Sequence, residues 1–224
     1  MLKFIPKLVS PEDKKTLNRP ITLEEVRSVV FNMSPDKSPG PDGFQAFFFQ
    51  KCWDILGEDL WRAIEASRNG GSLLAEINYS FLTLIPKQDG LEHAGDFRPI
   101  ELCNTIYKIF SKKLANRLKV LMPKLISEEQ TGFVPGRSFL DGILIIQETI
   151  HSASIDKEAC MFMKLDIQKA YDMVDWHFLC KVLEAFGFSH QWVSLIFKFI
   201  SSPKISILIN GTPEGFFEIS RGIR

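Results

Sequence analysis

The stretch KLDIQKAYDMVDW, residues 164–176, sets an aspartate at the end of a short apolar run and follows it with two more carboxylates within nine residues. With FMKLD at 162–166 read as a strand, Asp166 stands where a rigid element can project a carboxylate into a cleft. Carboxylate oxygens suit Mg²⁺, and phosphoryl-transfer sites hold the metal through one or two carboxylates together with substrate phosphates. Metal ligand and structural residue both remain open for Asp166. Asp175, directly ahead of Trp176, reads instead as the cap of the next helix.

Outward from this stretch, Trp176–Phe186 and His190–Ile200 predict two helices split by Gly187-Phe188-Ser189. KISILIN and GFFEIS, on either side of Asn210-Gly211-Thr212-Pro213, predict a hairpin. Toward the N-terminus, Thr22 stands three residues before Glu25 ahead of Val26, Val29 and Val30, a capping-box signal for a helix from about Thr22 to Asn32. SPDKSPGPDGF (34–44) then packs three prolines and two glycines into eleven residues, which no helix or central strand tolerates. A helix over Phe44–Asn69 closed by Gly70-Gly71, a strand at Tyr79–Pro86 and helices over Asn104–Met122 and Asp141–Ser152 complete the pattern. Residues 1–20, with Pro6, Pro11 and Pro20 among Lys and Asp, read as a linker or N-terminal extension. Helices and strands mix without βαβ alternation, so the predicted class is α+β.

Composition narrows the function. With 27 basic and 27 acidic residues in 224, the net charge is zero, and an argument for a polyanionic partner must come from where the charges sit. Cys52, Cys103, Cys160 and Cys180 form no CxxC pair, so neither a zinc site nor a disulfide framework is suggested. No secretory leader and no membrane-length apolar run is present, which reads as an intracellular, soluble protein. GxGxxG, P-loop, HExxH and GxSxG patterns are absent.

Charge does gather in one place. Between Leu102 and Ser127 there is no acidic residue, yet Lys108, Lys112, Lys113, Arg117, Lys119 and Lys124 lie there. On a helix whose apolar face carries Ile106, Phe110, Leu114, Leu118 and Leu121, such cations can meet a phosphate backbone, with counterion release driving the association. They can equally be solvated lysines whose stems lie along the helix.

The motifs PGPDGF (39–44), LIPK (84–87), FRPI (97–100), YKIFSKKLANRL (107–118), QTGFVPGRS (130–138), KLDIQKAYDMVDW (164–176), LINGTPEGFF (208–217) and RGIR (221–224) occur in an order and spacing that are highly specific together. With them, nearly the whole chain resembles reverse transcriptases of plant LINE-type, non-long-terminal-repeat retrotransposons. The resemblance implies a right-hand polymerase fold, with fingers and supporting helices over 21–155 and a partial palm over 156–224. It also implies RNA-directed DNA polymerisation with two Mg²⁺ ions, an RNA template, a DNA primer and deoxynucleoside triphosphates.

By position, the resemblance makes Asp166 the first metal-binding aspartate, with the backbone carbonyl of Ile167 as a further ligand. Tyr171 takes the aromatic position that stacks on the sugar and excludes a 2′-hydroxyl, and Lys87 and Arg98 contact the incoming triphosphate. Their chemistry suits phosphate oxygens, since an ammonium is a point charge and a guanidinium a bidentate fork. Without the resemblance, Lys87 is a strand-end lysine and Arg98 a partner for a surface acid such as Asp96. Lys87, Arg98, Asp166 and Tyr171 are expected around one concave surface. Lys108, Lys112, Lys113, Arg117, Arg137, Gly40 and Gly43 are the candidates for nucleic-acid contact, with a purely structural turn as the other reading of the two glycines.

In the family, RGIR is followed by a Gln-Gly loop and later by paired aspartates, and neither is in this sequence. The expectation is therefore a fragment, lacking the remaining palm and the thumb and inactive by itself; copying at a chromosomal target would imply the nucleus for the intact element, although no basic nuclear-import cluster is evident in this sequence. A nucleic-acid-binding remnant that uses the 108–124 surface without chemistry is the alternative.

Overall fold

The computed structural model describes residues 4–70, 77–87, 89, 90, 93–157, 159, 161, 163, 165, 167 and 169–223. Its α+β architecture sets helices around one four-stranded sheet of order β2-β1-β3-β4. β1 (Tyr79–Pro86) pairs antiparallel with β2 (Phe97–Cys103) and parallel with β3 (Lys204–Ile209), and β3 pairs antiparallel with β4 (Thr212–Glu218). β1 is predicted with its observed bounds, whereas β2 escapes prediction because Pro99 lies inside it. A proline offers no N–H to a ladder, but β2 is an edge strand, where one is tolerated. Asn210 and Gly211, with φ of 52° and 82°, make the β3–β4 turn, so Thr212 and Pro213 belong to the strand and not to the turn.

Of residues 1–20, expected as a linker or N-terminal extension, Pro11–Asn18 form a helix. Ser10 accepts a hydrogen bond from Asp13 N–H, the Asp13 carboxylate takes the Ser10 N–H, and Pro11 occupies the first turn of α1 (Pro11–Asn18). Leu17 of this helix is 2% exposed and joins the core. The same device, Thr22 with Glu25, starts α2 (Leu23–Phe31) where predicted. The helix expected over Phe44–Asn69 is two helices, α3 (Ala46–Lys51) and α4 (Trp53–Arg68), parted at Cys52, and Gly70 follows α4 with φ of 94°.

α5 (Thr105–Lys119) runs through the centre, with Ile109 and Phe110 fully buried, and the short α6 (Met122–Leu125) follows. Val26, Val30, Ile64 and Trp192 close the core around α5, the last from α9 (His190–Ser201). α7 (Phe139–Asp156), capped by Ser138, has no buried residue. α8 (Trp176–Phe186) ends at Gly187, whose φ is 95°. Of the strand predicted at FMKLD, Met163 and Leu165 carry no strand pairing, while Phe162, Lys164 and Asp166 lie outside the described residues. Among the described residues no helix is long and apolar enough to cross a membrane.

Candidate active site

The β1–β2 hairpin puts two cations side by side. Ile85 lies opposite Arg98, and Lys87 extends the ladder by one step, its N–H donating to Asp96 O at 3.0 Å. Side chains alternate along a strand, so Lys87, Ile85 and Arg98 share a face, and the two cations are diagonal neighbours. Lys87 Nζ donates to Gly95 O at 2.6 Å, which leaves the ammonium two further N–H groups. No carboxylate among the described residues pairs with Arg98; Asp96 instead accepts the His93 N–H at 3.0 Å. Both side chains reach solvent, an arrangement that can take up an anion through a point charge and a planar fork.

Asp166 lies outside the described residues, so its expected convergence with Lys87 and Arg98 falls there too. Ile167 is 75% exposed. Tyr171 opens a 3₁₀ turn (Tyr171–Met173), and its ring is on the surface at 59% exposure. Asp175 is the helix cap that its position suggests, accepting Phe178 N–H at 2.6 Å. Lys204 lies opposite both Tyr79 and Glu218, at the end of the sheet away from Lys87. Tyr171 O accepts the Ile223 N–H at 2.9 Å, and no described contact joins Tyr171 to the hairpin cations. Among the described residues, no three His, Cys, Asp or Glu side chains converge as a metal ion would need.

The basic helix divides into two sets. Lys108 and Lys112 are on the outside, donating to Ser38 O at 3.0 Å and Asn32 O at 3.1 Å, and each keeps free N–H groups. With Lys37, Ser34, Ile100 and Leu102 they line an open groove of about 560 Å³ between the 33–38 loop, β2 and α5. Lys37 is absent from the sequence-based candidates, because the prolines around it signal the shape of a loop and not a place for charge.

Lys113 and Arg117, expected at a phosphate backbone, are each only 6% exposed, and that assignment is corrected. Lys113 pairs with Glu25, and Arg117 donates to Leu17 O, Arg19 O, Pro20 O and Glu25. Burial tends to raise the Glu25 carboxyl, but hydrogen bonds from Lys113 and Thr22 N–H and the Lys113 and Arg117 charges outweigh it and bring it to about 2. These two cations bind the α1–α2 corner to α5.

Arg137 is likewise withdrawn from phosphate contact. Its guanidinium donates to the carbonyls of Pro123 (3.1 Å), Ile126 (2.9 Å), Gln130 (2.7 Å) and Ser127, so it staples the loop after α6. Gly40 serves packing: a Cβ there would stand 2.3 Å from Asn104 N and 2.4 Å from Cys103 C. Asn104 holds the same loop, accepting Asp42 N–H at 3.1 Å while its amide donates to Ile77 O at 3.0 Å. Gly43 turns at φ of 74° with open space around it.

Comparison with known proteins gives the family. The family model described as reverse transcriptase (RNA-dependent DNA polymerase) matches residues 85–224. An uncharacterized 149 kDa protein of transposon TX1 from Xenopus laevis is 34% identical over 217 residues, covering 97% of this chain and 17% of that protein. A Pol polyprotein from retrotransposable element R2 of Popillia japonica is 23% identical over 207 residues, covering 92% of this chain and 28% of its own length. A probable RNA-directed DNA polymerase from transposon BS of Drosophila melanogaster is 32% identical over 169 residues, covering 71% and 18% respectively. This chain thus spans between 17% and 28% of the length of these relatives. The extent of the family match, together with a relative alike over almost the whole chain, means that this protein belongs to the reverse transcriptase family, among the domains carried by non-long-terminal-repeat retrotransposons.

Proposed function

We propose that the chain is the fingers and leading palm of an RNA-directed DNA polymerase from a LINE-type element of plant lineage. In this reading the fingers and their helices run to about residue 155, with α1 as part of them, and the palm begins at 156. The solvent-open pair Lys87 and Arg98, inside the family-matched region, carries the reading: two adjacent cations with no carboxylate partner among the described residues suit a triphosphate. Asp166 and the Ile167 carbonyl would hold Mg²⁺, which when bound would stabilise charge on the transferring phosphoryl group. The other carboxylates of a two-metal site would come from outside this chain, so the chain by itself is inactive in polymerisation. The intact element would copy an RNA from a DNA primer at a chromosomal target, which implies a nuclear site of action.

The test is equilibrium binding of dATP to the 224-residue chain. Lys87→Ala and Arg98→Ala should each weaken it about tenfold, since charge-assisted hydrogen bonds contribute on the order of 1.5–3 kcal/mol. Unchanged affinity in both variants would overturn the reading. The groove between Lys37, Lys108 and Lys112 favours a second, non-catalytic role in holding RNA. Lys108→Ala with Lys112→Ala should then lower the salt slope of RNA binding by about one unit per lost contact. An unaltered slope returns these lysines to the ordinary surface.

A further inference from the structure

The Tyr171 ring makes no hydrogen bond or ring contact among the described residues, so its direction depends on the backbone beneath it. That backbone is held from a distant part of the chain. Gly222 N–H donates to Val174 O at 2.8 Å, and Ile223 N–H donates to Tyr171 O at 2.9 Å. The buried Trp176 indole N–H in turn donates to Gly222 O, and its ring meets Phe197 of α9 edge-on at 6.5 Å. A continuous path thus runs from α9 through Trp176 and Gly222 to the peptide of Tyr171.

Only glycine suits position 222. Its φ is 91°, and a Cβ there would stand 3.0 Å from Asp172 O and 3.2 Å from Asp172 Cα, both backbone atoms that can yield only if the 171–174 turn moves. We propose that Gly222 and Trp176 are positioning residues for Tyr171, and that this clip sets how sharply the site distinguishes a deoxyribose from a ribose triphosphate. The inference rests on the reading of Tyr171 as the side chain that excludes a 2′-hydroxyl. A ring that rejects one hydroxyl group must be held to within a fraction of an ångström, and a surface ring with no hydrogen bond or ring contact among the described residues obtains that precision from its main chain.

The experiment measures dATP and ATP binding by the 224-residue chain, with amide exchange at Gly222 and Ile223 followed alongside. Trp176→Phe removes the indole donor and keeps an aromatic ring against Phe197, so it tests the clip if Gly222→Ala fails to fold. Both variants should lose exchange protection at Ile223 and reduce the preference for dATP by about tenfold, toward that of Tyr171→Ala. Tyr171→Phe should retain the preference, and Arg98→Ala should weaken both nucleotides equally. If Tyr171→Ala abolishes the preference while Trp176→Phe and Gly222→Ala leave it intact, the clip is refuted and Tyr171 keeps its role. If Tyr171→Ala changes nothing, the reading of Tyr171 fails and takes the clip's proposed function with it.

Discussion

α5 and α7 are both long helices with apolar residues at helical spacing, yet they live in different surroundings. α5 buries Ile109, Phe110 and Leu114, and even Lys113 and Arg117. α7 buries nothing: Phe139 is 67% exposed, Leu144 57%, Ile146 53% and Ile155 65%. The difference teaches that helical periodicity reports which residues share a face, while burial depends on what the rest of the chain brings to that face. α1, α2 and α4 come to α5 from far back along the chain and supply both apolar cover and Glu25. No described element does so for α7.

Breaking the α5 side should have the largest effect. Glu25→Gln leaves Lys113 and Arg117 buried without their carboxylate, and a loss of about 3 kcal/mol in urea unfolding is expected. The carboxyl is depressed to about 2 from an ordinary 4.5, so its contribution is complete above pH 4.5 and disappears as pH falls toward 2. Stability of the parent chain should therefore fall across that window, and the Glu25→Gln chain should show a shallower fall. Equal acid sensitivity of the two chains would mean that the α1–α2 corner is not held by this carboxylate.

A smaller loss, about 2 kcal/mol, is expected for Gly40→Ala, because its Cβ would strike the Asn104 main chain where the 34–44 loop meets α5. Gly43→Ala sharpens the contrast: φ of 74° costs about 1 kcal/mol of backbone strain, with no clash added. A thermal-shift series that ranks the two in the reverse order would show the loop to be looser than its packing indicates.

The smallest effect belongs to α7. Ile146→Lys with Ile150→Lys should change stability by under about 1 kcal/mol, because both side chains are already half in water, and should reduce binding of a hydrophobic dye. A loss of several kcal/mol would show that α7 is packed in solution and that the contrast with α5 is false.

Local signals are legible wherever the physics is local. The Thr22–Glu25 capping box, the prolines of 34–44, the limits of β1 and α8 and the Asn210-Gly211 turn each rest on a few neighbouring residues, and all can be read in order. Ser10-Pro11-Glu12-Asp13 offers the same kind of signal for α1, but three prolines among charged residues point as strongly to a linker. The candidate site is legible only by residue type and by the arrangement of motifs. LIPK and FRPI name Lys87 and Arg98, but the register between β1 and β2 makes them neighbours.

Sequence by itself determined the elements whose signals are local, such as α2, β1 and α8, together with the cations available, because propensity and capping are properties of short windows, and the order of its motifs pointed to the family. Tertiary structure alone decided which cations are free. Lys108 and Arg117 occupy the same basic helix, and a rotation of about 100° per residue sends one to an open groove and the other to Glu25 and three carbonyls. An ammonium or guanidinium inside a core must be paired, and its partners at Leu17, Arg19, Pro20 and Glu25 lie too far away along the chain for any local pattern to reveal.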